Sequence, residues 1–140
     1  MFRTLSTFVT LAGVVLLGGT SIAAAQGNGS YSVKYEQVAD DCEGDGLTLG
    51  AGAAVAVSGA NDKLVVTIAG VTPMRGRRAA DGQFKALSQG PGAKPDLRGK
   101  YSVSGKTVRD SIEMVFIAQF YRGKRPLCTQ SWTVSGARKK

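Results

Sequence analysis

Histidine is absent from all 140 residues of the chain. Its absence removes the Ser-His and Cys-His nucleophile pairs and every histidine metal site. Cysteine is almost as scarce, with Cys42 and Cys128 the only two. Two thiols without histidine make a poor zinc site. In an oxidising compartment such a pair reads as a disulfide, and only one pairing within the chain exists. It would close a loop of 87 residues, for which the chain-entropy estimate is about 4–5 kcal/mol. Carboxylates remain for acid–base work, but Asp110 and Glu113 are three apart in an extended stretch and so face opposite sides. The chain is expected to be no enzyme and to carry no cofactor.

Long apolar runs are missing too, except at the start. Residues 1–4 carry Arg3 and no acid, and residues 5–17 are apolar or neutral. Gly18, Gly19, Thr20 and Ser21 then interrupt the run, and Ala23-Ala24-Ala25 precedes Gln26. A charged start, a short apolar run and a small-residue site predict a secretory signal cut after Ala25. A spanning helix would need about 20 apolar residues. No cysteine follows the run to carry a lipid, and no paired arginine precedes it, so the general secretion route is expected. The reading is a signal peptide over 1–25 and one domain over 26–140, secreted or periplasmic, with no transmembrane segment after cleavage. Those 115 residues suffice for one core that buries about two-thirds of the unfolded surface.

A helical period is the third absence. Nearly every segment alternates with period two. Tyr31, Val33 and Tyr35 alternate with Ser32, Lys34 and Glu36. Residues 47–58 are rich in Val, Ala and Gly, and Leu64, Val66 and Ile68 share a face. Short strands are expected around Phe84 and Ala86, and around Leu97, Tyr101 and Val103. The longest runs over 111–121 with Ile112, Met114, Phe116, Ala118 and Phe120 on one face, and the last puts Cys128, Gln130, Trp132 and Val134 on one face. Turn chemistry separates them at residues 58–62, Asp81-Gly82, Ser104-Gly105-Lys106 and Arg122-Gly123-Lys124, with a longer loop over 89–96. The prediction is an all-β antiparallel meander of about eight strands, a small closed barrel, with a β-sandwich as the alternative. A Cys42–Cys128 bond favours the barrel, because it ties the first strand to the last. Most strands are too short for an outer-membrane barrel, whose strands need about 9–11 residues.

Four groups of residues could carry function. Tyr101, Phe116, Phe120 and Trp132 could line an interior that holds one small apolar or amphipathic ligand, as eight-stranded barrels can. Charge is uneven: residues 26–72 hold two lysines and six acids, a net −4, while residues 73–140 hold fifteen basic residues and four acids, a net +11. Within the basic half, Arg75, Arg77 and Arg78 form one cluster and Arg122, Lys124 and Arg125 another. Such clusters attract anionic lipid or glycan, and nucleic acid is the least expected partner of an exported chain. Asp41, Glu43, Asp45 and Gly46 fall on the first part of a calcium-loop spacing, but Gly52 stands where the closing glutamate belongs. An eight-stranded exported barrel with one disulfide is similar in architecture to lipocalin-like proteins. Their Gly-x-Trp signature is replaced near the first strand by Tyr31-Ser32-Val33. The expected function is that of a non-catalytic binding module for a small apolar or amphipathic ligand. The alternative is an envelope protein that meets anionic lipid or glycan through its basic hairpin ends.

Overall fold

The alternating pattern resolves into eight antiparallel strands in a computed structural model that describes residues 27–50 and 54–140. The expected signal peptide and its cleavage site lie outside the described residues. The strands are β1 (Gly29–Asp40), β2 (Ala54–Ser58), β3 (Lys63–Ile68), β4 (Met74–Arg78), β5 (Gln83–Pro91), β6 (Arg98–Val108), β7 (Ser111–Arg122) and β8 (Arg125–Arg138). Each pairs with its neighbours in sequence, and β1 also pairs with β8, so one ring-like sheet results rather than two stacked ones. Among the described residues no helix is long and apolar enough to cross a membrane.

Period two decides what fills the ring. Val55, Val57, Leu64, Val66, Ile68, Ile112, Phe116, Ala118, Phe120, Trp132 and Val134 are all buried, and their sequence neighbours are exposed or half-buried. Gln130 is a polar exception on the inward face. Its side-chain oxygen accepts from the Leu47 amide at 2.8 Å, and its amide group donates to the Leu47 carbonyl at 3.2 Å. The β1–β2 connection is thereby held over the end of the ring, and the buried amide is satisfied.

The ring-like sheet is joined at the β1–β8 seam. The register runs from Tyr31 opposite Arg138 to Asp40 opposite Gln130, with a bulge that leaves Val38 out. At one end, the sulfur atoms of Cys42 and Cys128 are 2.10 Å apart, with 4.9 Å between Cα atoms. Beside them the Thr129 amide donates to the Asp41 carboxylate at 2.7 Å. At the other end, Gly136 leaves no room for a side chain, since a Cβ there would stand 2.7 Å from Val33 Cα. Only glycine permits this approach of β8 to β1.

The sequence reading and the structure part at four places. β4 was not among the expected strands, because its outward residues are arginines and only Met74 is both apolar and buried. Ser104-Gly105-Lys106 is no turn but the interior of β6, paired with β5 and β7. Gly105 lacks the positive φ that Gly59, Gly82 and Gly123 adopt in the real turns. Residues 47–50 are not strand, and β2 begins at Ala54. β5 runs on to Pro91, which shortens the expected long loop to residues 92–97.

Two measurements test this closure. Reducing the disulfide, or replacing both cysteines by serine, lowers stability by about 2–5 kcal/mol, read as the shift in a urea midpoint. Gly136→Val, which presses a branched side chain into β1, costs about 1–3 kcal/mol, while Gly123→Asn, in an open turn of positive φ, costs less than half of that. Equal midpoints for the two variants would contradict the crowded seam.

Candidate functional site

Closure sends one face of every strand inward, so the outer face decides what the molecule presents. On β6 the outward residues Ser102 and Ser104 are small, whereas the flanking strands carry Lys85 and Leu87 on β5 and Val115 and Ile117 on β7. A line of short side chains between taller ones makes a trough. The structure contains an open cleft of about 870 Å³ at this place. Three cross-strand rows build it. The outer row is Arg77, Lys85, Ser104, Val115 and Thr133, with its low point at Ser104. A second wall row is Gln83, Lys106, Glu113 and Ser135. Between them run Arg78, Phe84, Gly105, Met114 and Val134. The Phe84, Met114 and Val134 side chains point inward and are buried, so their main chain forms the floor. Gly105 belongs to this row, and a Cβ on it would lie 2.5 Å from Met114 Cα.

The cleft's charges are Arg77, Arg78, Lys85 and Lys106 against Glu113. Arg77 reaches Asp62 at 3.5 Å with its side chain 82% exposed, an interaction that solvent makes weak. Arg78 is fixed at the edge: its guanidinium donates to Asn28 Oδ1 at 2.6 Å and to the Gly59 carbonyl at 3.2 Å. Lys85 and Lys106 make no ion pair among the described residues. A trough bordered by Val115 and by long side chains with aliphatic stems, with two ammonium groups in no ion pair among the described residues, suits an amphipathic anion: a chain along the trough and an acidic head between Lys85 and Lys106.

The residues picked out in the sequence fall elsewhere in part. Tyr101, Phe116, Phe120 and Trp132 are brought together inside the ring. Phe116 stacks on Trp132 with centroids 5.3 Å apart, and Tyr101 lies 6.2 Å from both Phe116 and Phe120. Each is at most 4% exposed, so the rings occupy one another's space. Such pairs add about 0.5–1.5 kcal/mol beyond their burial. The Tyr101 hydroxyl donates to the Pro91 carbonyl at 2.6 Å, and burial raises its pKa.

The two basic clusters are not brought together. In an antiparallel meander the turns alternate between ends, which puts Arg78 at the end of the β4–β5 turn and Arg122, Lys124 and Arg125 at the disulfide end. There Arg122 donates to Asp96 at 3.2 Å. Arg75 and Arg77 lie on the outer face of β4.

The calcium-type carboxylates are turned to other work. Asp41 accepts from Thr129, Asp45 pairs with Lys94 at 2.6 Å, and Glu43 is exposed with a φ of 51°. Among the described residues, the one acidic or cysteine trio with ligand atoms within 4.8 Å is Asp41, Cys42 and Cys128, two of which are bonded to each other. Of the two carboxylates weighed for acid–base chemistry, Asp110 pairs with Arg138 at 3.6 Å and Glu113 stands in the cleft wall.

Lys85 and Lys106 are the cleft residues that sequence reasoning missed. Their signal was parity: Lys85 alternates with Phe84 and Ala86. Lys106 was hidden by a tripeptide read as a turn. No family model, no curated protein and no solved structure matches the chain.

One titration probes the electrostatics at the disulfide end. The Lys94 ammonium, first by its hydrogen bond and then by its charge, holds the Asp45 carboxyl below its ordinary value of 3.8. A depressed carboxylate contributes stability above the ordinary value and loses it as pH falls through the lowered one. The carbon-13 titration of Asp45 is therefore expected to have its midpoint below 3.8 and to move up in Lys94→Ala. An unchanged midpoint would show that the two groups do not pair in solution.

Proposed function

We propose that the chain is an exported, non-catalytic β-barrel binding module whose ligand is an amphipathic anion, an apolar chain with an acidic head, seated in the outer cleft. The observation that carries this reading is the trough over Ser104, walled by Val115 and the aliphatic stems of Lys85 and Lys106, with both ammonium groups outside any ion pair among the described residues. Export is supported by the charged start, the short apolar run and Ala23-Ala24-Ala25, together with cysteines at bonding distance. A closed barrel is supported by the β1–β8 register. The mutual packing of Tyr101, Phe116, Phe120 and Trp132 favours the outer cleft over the interior as the seat. The separation of the two arginine clusters to different ends favours it over the hairpin tips as the anion site.

The test is a titration of the purified chain with an intrinsically fluorescent polyene fatty acid. Saturable uptake is expected. Ser104→Phe fills the trough and abolishes it. Lys85→Glu with Lys106→Glu weakens it by at least about tenfold, the loss of one charge-assisted contact or more. Trp132→Phe, inside the ring, leaves it within about twofold, since each tenfold would need 1.4 kcal/mol. Absence of uptake, or uptake indifferent to Ser104→Phe, would refute the reading.

A further inference from the structure

The cleft occupies only part of an unusual outer face. Next to its wall row runs another outward row, Val65, Arg75, Leu87, Ser102 and Ile117, in continuous register from β3 to β7. Leu87 is 68% exposed, more than any other large hydrophobic residue among the described ones, and Val115 in the adjoining row is 40% exposed. Single exposed apolar residues are ordinary. These lie in adjoining rows with a half-buried Ile117 beside Val115 on the same face of β7, and cations surround them.

Those cations are Lys63, Arg75, Arg77, Lys85, Lys100 and Lys106, all exposed. Glu113 is the acid within the rows, and Asp62 at the β2–β3 turn reaches only Arg77. Lys63, Arg75, Lys85 and Lys106 form no ion pair among the described residues, and Lys100 lies over the Tyr121 ring at 4.9 Å. One cleft touches all of β4 to β8. In a ring of eight, β5 stands opposite β1. β1 carries Glu36 and Asp40 beside Lys34, while Asp41, Glu43 and Asp45 lie at the disulfide end, where Asp45 pairs with Lys94 of the β5–β6 loop. The basic, apolar-centred side therefore lies on β4–β7, across the ring from β1. An anionic surface attracts the side that carries these cations.

We propose that the outer face of β4–β7 docks on an anionic lipid bilayer, with Leu87 entering the headgroup layer and Arg75, Lys85 and Lys100 meeting lipid phosphates. The occupant follows from the pairing of charge with exposed leucine: a soluble polyanion would engage the cations and gain nothing from Leu87, whereas a bilayer rewards both. Docking in this orientation opens the cleft against the headgroups, so that an acidic amphiphile passes sideways from the membrane into the trough. This last step rests on the proposed cleft ligand, and the docking itself does not.

The experiment is co-sedimentation of the full exported chain with vesicles of phosphatidylcholine, with and without phosphatidylglycerol. Binding is expected only to the mixed vesicles and weakens as salt rises. Leu87→Ser lowers the partition coefficient about tenfold. Arg75→Gln with Lys100→Gln, both outside the cleft, lowers it about twenty-five-fold, at about fivefold for each cation. Arg122→Gln with Lys124→Gln and Arg125→Gln leaves it unchanged. Vesicle binding that survives both Leu87→Ser and the Arg75/Lys100 pair, or that is lost only with the Arg122–Arg125 set, overturns the proposal. Retention on heparin as strong as on vesicles and indifferent to Leu87→Ser overturns it as well, in favour of a polyanion site. Fatty-acid uptake by Leu87→Ser separates the two readings. Lost vesicle binding with intact uptake supports the docking face. Vesicle binding that follows the expected pattern in a chain without uptake keeps the docking face and refutes the cleft ligand.

Discussion

A meander of eight strands begins and ends with an unpaired edge, and an unpaired edge is a template for aggregation. Here the two edges are spent on each other, from Tyr31 opposite Arg138 to Asp40 opposite Gln130. The pairing joins residues about as far apart as the domain allows, so its loop-closure entropy must be met before any ladder bond rewards it. Three local devices act at that seam. The Cys42–Cys128 pair restricts the unfolded chain at one end. The Asp41 side chain continues the ladder to Thr129 just beside it. Gly136 lets the backbones approach at the other end. At that same end Arg138 packs over the Tyr31 ring, and the hydrogen bond to the Tyr31 hydroxyl is the main cause of the raised pKa of its guanidinium.

Once the ring is joined, the rest is constrained by parity. Each strand must send one face inward, and the enclosed volume is small enough that aromatic side chains fill it at the level of Tyr101, Phe116 and Trp132. On the outer face, by contrast, side-chain height varies freely. The short residues of β6 between the taller ones of β5 and β7 turn a flat sheet into a trough without a single special loop. The same joining puts β5 opposite β1, and the cations on the outer face of β4–β6 gather on one side of the ring.

The inward face was the most legible part of the sequence. Ile112 to Phe120 and Cys128 to Val134 follow strict alternation, and every inward residue of both runs is buried. The cysteine pairing was legible because only one existed. β4 was not, since Met-Arg-Gly-Arg-Arg has the right period but almost no apolar content, and its strand character comes from pairing with β3 and β5. The Ser-Gly-Lys of β6 was misread because the same residues serve turns and crowded strand interiors, and only φ tells them apart. The cleft needed the register of five strands at once. A clustering of arginines in sequence therefore suggested a site at the hairpin tips, where the structure separates the clusters to different ends.

What distinguishes the outer face of β4–β7 from an ordinary solvated surface is the order of its residues. A strand that only needs solubility gains nothing from Leu87, Val115 and Ile117 on the side facing water. Burial elsewhere does not require them either, because the inward set is already complete. Nor do the surrounding lysines and arginines add stability through pairing, since most of them have no acid within reach and like charges in adjoining rows repel. On the proposed docking, both features would be used together against a surface that is anionic and apolar a few ångströms below. On that proposal the cations and the exposed leucine act together, and the trough in the adjoining rows would open toward the same surface.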